Sequence, residues 1–330
     1  MLALVLLAGY LLSRPKVQSD GTILLDGSGY VGIAERDGTL FCADTSGCIY
    51  EMDWVTGRKT SRGRIPAEER WITNEAFRNA YYMRGTMLMR YNMVSGAVTE
   101  LCPLLDCERP IAATDHAFLY SRVGDDGTSL VLLDLDTLEV TATQDGQWNQ
   151  QLLIDSDVAY YILTQEGPLE RDKYTDIIAW DLETGDSKIL AHYDRASYLP
   201  ENSHDFVYQV VWGTPAVVGD TVYYYCLGED NLPELYAVPK DGSGGPEAIP
   251  LDFQPAETSR YGNSGFLYIS DGASTFLYRP NEATGQLAQF LTLDSQIEQV
   301  YLVRTGERYA LFYWDVTSNR SKLVLGAMAG

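Results

Sequence analysis

The chain has 330 residues, 45% of them hydrophobic, and a formal net charge of −22 at pH 7. That apolar content excludes a disordered chain and supplies the core of one large β domain or two ordinary ones. The charge excludes nucleic acid as a partner and disfavours docking on anionic lipid, because an acidic surface repels phosphate; it serves solubility, with a cation or a basic partner as the alternative use.

Met1 to Leu12 form an unbroken apolar run, followed by Ser13-Arg14-Pro15-Lys16. Such a run is short of the roughly 20 residues that span a bilayer. It matches the apolar region of a signal sequence or the remnant of a signal anchor. No Ala-x-Ala site and no lipidation cysteine follow it. Residues 1–19 are therefore read as a signal anchor or signal-peptide remnant plus linker, and 20–330 as a single domain. The expected location is extracytoplasmic, either membrane-anchored or secreted.

Thr22–Asp26 reads as a strand. Gly27-Ser-Gly-Tyr-Val-Gly32 then fits a GxGxxG pattern. A dinucleotide site needs a helix start there, whose N–H groups hold the pyrophosphate. The following residues, Ile33–Leu40, instead turn at Asp37-Gly38 into another strand, so the segment is read as a glycine turn between strands.

From here one plan repeats: a tyrosine-rich strand, a turn, a second strand ending in a polar turn with Gly, and a third strand. It runs through Leu40-Phe-Cys42 and Ile49–Gly57, Ala80–Met83 and Leu88–Gly96, and Ala117–Tyr120 and Leu130–Leu138. It continues through Val158–Leu163 and Ile177–Gly185, Val222–Tyr225 and Leu235–Gly242, and Phe266–Ile269 and Phe276–Gly285. The 23 tyrosines fall largely in these runs, where aromatic and β-branched residues suit a pleated, half-buried surface. The turn recurs at positions 57, 96, 138, 185, 242 and 285, close to the roughly 40–50-residue period of a propeller blade. A short helical pattern at Ala67–Ala76 does not change the class. Tyr309–Asp315 and Lys322–Leu325 begin a seventh unit that lacks an outer strand, and Thr22–Asp26 is free to supply it. The expected fold is all-β: a seven-bladed β-propeller closed by an N-terminal strand, with six or eight blades as the alternative count.

In a four-stranded blade, the loops between the second and third strands and the links between blades emerge on one face. The long insertions all belong to that set: Arg64–Arg70, Pro103–Pro110, Gln165–Tyr174, Ala191–Phe206 and Gly228–Leu232. Long loops on a rigid scaffold carry binding residues. The two longest nominate Arg171, Tyr174, Tyr193, Arg195, Tyr198 and His204 as ligand-binding residues, since Tyr and Arg are favoured interface anchors. His192 and His204, with Asp194, Glu201 and Asp205 nearby in the chain, have the composition of an acid–base or metal site set in a solvated loop. His116 reads as structural.

No cofactor is expected. Calcium is the alternative, at Gly124-Asp-Asp-Gly127 or Asp134-Leu-Asp136, which otherwise read as turns. The five cysteines contain no CxxC and sit apart from the three histidines in the chain, which argues against zinc. Cys42 and Cys48 flank a turn, so they are either a cross-hairpin disulfide or two thiols; Cys226 reads as a core residue.

Asp-Leu-Glu-Thr-Gly at 181–185, after Ala179-Trp180, resembles the repeat of quinoprotein-like propellers. The blade-docking Trp of that repeat has no counterpart in Asp186–Leu190. Val222–Cys226 with Leu235–Ser243 resembles bacterial propellers of unknown function related to the low-density-lipoprotein-receptor-like (YWTD-type) group. Tyr268-Ile-Ser-Asp271 and Tyr313-Trp-Asp315 are similar to the core of that group. The resemblance covers most of residues 30–326. It implies a binding or scaffolding module and carries no catalytic residue. The expected function is thus non-catalytic binding of a protein or glycan on the long-loop face by a monomer. A polysaccharide hydrolase or lyase with acidic residues at the channel is the alternative.

Overall fold

The computed structural model describes residues 16–17, 23–24, 30–66, 70–74, 77–124, 127–165, 174–194, 211–227, 232–256, 265–281, 286–305 and 308–327. Strands dominate these residues and form seven small antiparallel sheets. They are the blades of a seven-bladed β-propeller. No helix among the described residues is long and apolar enough to cross a membrane.

Blade four shows how sequence makes a blade. Its strands, a to d from the inside outward, are Gln147–Asp155, Val158–Gln165, Tyr174–Asp181 and Ser187–Asp194. Strand b alternates between two apolar faces. Tyr160 and Ile162 pack towards blade five with Val217, Val222 and Tyr224. Ala159, Tyr161 and Leu163 pack towards blade three with Leu119, Leu130 and Leu132. A sheet buried on both faces accounts for the near-continuous apolar runs of the middle strands. Trp180 is fully buried in the second cluster, and its Nε1–H donates to the Gly185 carbonyl at 3.0 Å. Burying each such side chain contributes roughly 1.5–3 kcal/mol.

The Gly-containing turns join strands c and d. In blade four the Asp181 carboxylate accepts the N–H groups of Glu183 (2.9 Å) and Thr184 (2.8 Å). The Gly185 N–H donates to the Asp181 carbonyl at 3.0 Å, with φ +78°. Asp53 and Asn92 cap the same turn in blades one and two, which end on Gly57 (φ +65°) and Gly96 (φ +75°). These left-handed positions favour a residue without Cβ. Blade three builds the identical turn on Asp134 but places Leu138 there, at φ +60°. Asp134 is thus engaged in capping its own turn, and Gly124 pairs with Gly127 as the ends of a hairpin. Asp125 and Asp126, the carboxylates of the first calcium candidate, lie outside the described residues.

The ring closes as the leftover N-terminal strand required. Ile23 pairs with Leu323 and Leu24 with Lys322, so residues 23–24 form the outer strand of blade seven. Lys16–Val17, within the segment read as anchor and linker, pairs with Ile23–Leu24 as a fifth strand. Blade seven begins earlier than the repeat indicated, at Ile297–Thr305, followed by Arg308–Asp315 and Arg320–Ala327. Behind the closure, Lys322 pairs with the buried carboxylate of Asp315.

Several expectations change. The repeat omitted the strand a of blades one to five and seven, including Tyr30–Arg36, Cys107–Ala113 and Val211–Val218, while blade six has three strands among the described residues, Leu267–Ser270, Thr275–Pro280 and Leu287–Leu293. The a–b ladders of blades one, three, four, five and seven carry a register shift, which breaks the alternation that sequence reading relies on. Trp71–Thr73, inside the short helical pattern, is the strand a of blade two. Gly32 lies in a strand rather than a turn, against the Phe77 ring, while residues 25–29 are outside the described set. Pro103–Pro110 is not a long insertion. One strand ends at Pro103 and the next starts at Cys107. Cys42 pairs across the hairpin with Tyr50, not Cys48, and both cysteines are free thiols. A diagonal cross-strand pair lies about 7–8 Å apart at Cα, beyond disulfide reach. Cys226 is a buried thiol of the cluster between blades four and five.

Candidate functional site

The chemistry-bearing side chains of blade four gather where strand c begins and strand d ends, on the long-loop face. Asp176 lies opposite His192 in the c–d ladder, with Tyr174 two residues earlier on the same side of strand c. Tyr174 and His192 flank the contact from adjacent strands, their ring centroids 5.2 Å apart and inclined at 44°.

The His192 Nδ1–H donates to Asp176 Oδ1 at 2.6 Å. The two ends of that bond differ in environment: the Asp176 side chain is 4% exposed and that of His192 56% exposed. On the preceding strand, Asp176 faces Leu163 in register, and the next residue on its side of the sheet is Ile178. Burial pushes the Asp176 carboxyl above the ordinary range, and the hydrogen bond from His192 offsets only part of that push. The contact fixes the orientation of the imidazole: Nδ1 is turned to Asp176, and Nε2 is the ring nitrogen that Asp176 does not engage.

The residues nominated from the sequence divide clearly. Tyr174 belongs to the cluster, but as a strand residue rather than a loop residue. Tyr193 is a strand residue too, 6% exposed, facing away from His192 into the interface with blade five. Its hydroxyl shares a 2.6 Å hydrogen bond with Tyr224. Burial thus makes it a support behind the face rather than a contact on it. Arg171, Arg195, Tyr198 and His204 lie outside the described residues, as do Glu201 and Asp205. The carboxylate beside His192 is Asp176, sixteen positions away in sequence. An Asp inside the apolar run Tyr174–Asp181 was the signal that could have found it, since unpaired charges are rarely buried.

His116 is exposed, with Nδ1 3.2 Å from Asp136 Oδ2. Asp44 makes a purely local set of bonds: it accepts the N–H groups of Ser46 and Cys48 and the Tyr50 hydroxyl. Among the described residues, no group of three or more His, Cys, Asp or Glu side chains is arranged to hold a metal ion.

No family model and no curated protein matches the sequence. Solved structures do match in fold. A chain of hydrazine synthase from Kuenenia stuttgartiensis superposes with a TM-score of 0.54 at 11% identity, over 93% of this chain and 98% of that one. The WD40 repeats of RRP9 give a TM-score of 0.51 at 10% identity, covering 95% and 99%. The β-propeller domain of the Trilobed protease from Pyrococcus furiosus gives 0.51 at 10% identity, covering 91% and 95%. At these identities the likeness is one of architecture.

Proposed function

We propose that this chain is a non-catalytic binding or scaffolding propeller that works through its long-loop face, at blades four and five. One observation carries the reading. Asp176 is buried at an energetic cost, and its effect is to orient the exposed imidazole of His192 at the mouth of the two longest insertions. A charge retained against stability, feeding an exposed group, is the pattern of a working surface.

Arg171, Arg195, Tyr198 and His204, from those insertions, are proposed to surround Tyr174 and His192, with Tyr193 supporting them from within. The partner class is protein or glycan. The apolar run at 1–12 is proposed to place the propeller outside the cytoplasm, anchored at the membrane, in keeping with the likeness of its repeats to YWTD-type and quinoprotein-like modules.

Photo-crosslinking tests the face. A crosslinkable residue is placed at 171, 195 or 198 on the long-loop face, or at Val55 or Val94 in the opposite c–d turns, which are 71% and 66% exposed. Adducts concentrated at the first set support the reading, and adducts at the second set, or equally at both, refute it. Turnover of any glycan in a hydrolase and lyase panel would overturn the non-catalytic reading.

A further inference from the structure

We infer that the long-loop face is turned towards the bilayer that holds residues 1–12, so that the partner it meets is a protein rooted in that same membrane. This orientation rests on the anchored, face-binding reading above and adds the partner's class. The register of the N-terminal strands on blade seven carries it. Lys16 pairs with Leu24, and Leu24 with Lys322; Val17 pairs with Ile23, and Ile23 with Leu323. Arg320 follows the turn between the second and third strands of blade seven, so it marks the long-loop end of Arg320–Ala327, and Ala327 marks the other end. Going from Val17 to Lys16 therefore moves from the level of Leu323 towards that of Arg320. Traced towards its N-terminus, the chain leaves the sheet heading for the long-loop face.

Distance decides between the two faces. Lys322, level with Lys16, is two residues from Arg320 and five from Ala327, about 7 Å and about 17 Å along the strand. Leu12 is four residues from Lys16, a reach of at most about 14 Å when fully extended. The end of the apolar run can thus pass the long-loop end of blade seven but cannot come level with the opposite end.

The same short attachment sets the partner's class. It leaves a gap between face and bilayer smaller than a folded domain, whose radius of gyration alone is about 13 Å for 100 residues. A soluble domain is kept out, and what reaches Tyr174 and His192 is the exposed segment of a membrane protein. On this face Val316 of blade seven, Leu232 of blade five, Val123 of blade three and Leu105 in the link from blade two are exposed, apolar side chains that a bilayer interface accepts. A net charge of −22 requires that bilayer to be zwitterionic at its surface rather than anionic.

Quenching by lipid tests the orientation, with the full chain reconstituted into phosphatidylcholine vesicles that carry a nitroxide on the headgroup. A fluorescent amino acid is placed at Val316 or Leu105 on the long-loop face, or at Val55 on the opposite face of blade one, which packs against blade seven. Flotation of the vesicles shows that the chain is attached, and urea midpoints show that each variant is folded. The expected result is loss of emission at 316 and 105 and none at 55. Inserting a 20-residue Gly/Ser linker between Leu12 and Ser13, about 25 Å in r.m.s. length, should leave flotation intact and abolish the quenching. The protein captured by the crosslinkable residues at 171, 195 and 198 should stay with native membranes through alkaline carbonate extraction.

A chain that does not float overturns the anchored reading and the orientation together. A chain that floats with equal quenching on both faces, or stronger quenching at 55, overturns the orientation and leaves the anchor standing. Emission lost at 316 but kept at 105 means that the ring stands on its rim, and it overturns the orientation too. A crosslinked protein that carbonate releases overturns the membrane-rooted partner, while the binding face stands.

Discussion

Leu138 offers a quantitative test of the turn logic that organises the ring. It sits at φ +60° where the homologous turns of blades one, two and four carry Gly57, Gly96 and Gly185 at +65°, +75° and +78°. Its N–H donates to the Asp134 carbonyl at 2.9 Å, the bond made by Gly185 to Asp181 at 3.0 Å, so the geometry is the same and only the side chain differs. A left-handed L-residue costs about 1–2 kcal/mol. Glycine relieves that strain but gives back about 0.5–1 kcal/mol through the greater freedom of the unfolded chain. The half-buried Leu138 side chain offsets a further part through apolar contact. Leu138→Gly should therefore stabilise the protein by about 0.3–1 kcal/mol. The mirror substitution, Gly185→Ala, should destabilise it by about 1–2 kcal/mol, because φ is +78° and the new Cβ would lie 3.3 Å from the Cβ of Ala142. Equilibrium urea unfolding followed by tryptophan fluorescence measures both, and Trp180, bonded to the Gly185 carbonyl, is a local reporter. Opposite shifts of the midpoint at constant slope are expected. A Leu138→Gly midpoint lowered as far as that of Gly185→Ala would refute the strain argument.

Three further outcomes follow from particular contacts. Asp176→Asn should stabilise the protein at neutral pH by roughly 1 kcal/mol, since it removes a buried charge while leaving an acceptor for His192. The Asp176 carboxyl is held above its unfolded range, so its penalty applies at neutral pH and disappears below about pH 4; urea midpoints at pH 7 and pH 3.5 check this, and a gain unchanged by pH would count against it. Turn carboxylates act in the opposite sense. The N–H groups of Thr56 and Thr137 lead the bonds that hold Asp53 and Asp134 low, and at Asp315 burial is outweighed by Lys322 and the Ser318 N–H. Their stabilisation is complete above the unfolded carboxylate range and is lost as pH falls through the depressed folded values. Stability should therefore drop below about pH 4, less steeply in Lys322→Met/Asp315→Asn, and a pH-independent midpoint between 5 and 2.5 would exclude this. Gly326→Ala should destabilise blade seven by about 1–3 kcal/mol, because Gly326 lies opposite Tyr309 and its new methyl would enter the Tyr309 ring; an unchanged melting midpoint would show that the ring simply moves aside.

The parts of the molecule legible in the sequence are those where a local rule repeats. Strands b and c are buried on both faces, so their Tyr- and Ile-rich runs stand out, and Asp-Leu-Glu-Thr-Gly at 181–185 is a turn with its own cap. Closure was legible because blade seven was one strand short. The innermost strands were not, because bulges such as that between Trp148 and Leu152 scramble alternation. The site escaped for a different reason. Its central contact joins Asp176 to His192 through a ladder whose register also shifts between Ile177 and Ile178, and sequence proximity favoured the loop acids instead. Likewise Tyr193, one residue from His192, takes the opposite side of the strand and becomes core, a distinction that depends on the strand continuing to Asp194.

The pairing of Ile23 with Leu323 has a consequence for how the chain reaches this state. Blades two to five each complete themselves from strands consecutive in the sequence. Blade seven must bring together segments about 300 residues apart, and closing a loop of that length costs roughly 5 kcal/mol of chain entropy. Contacts so distant in sequence form late and slow the overall reaction. During synthesis, residues 23–24 emerge long before their partner exists, while the strands between them assemble blade by blade into an unclosed arc. The outer edge of Arg320–Ala327 then waits for a strand made early, and closure converts a row of locally folding units into one cooperative body.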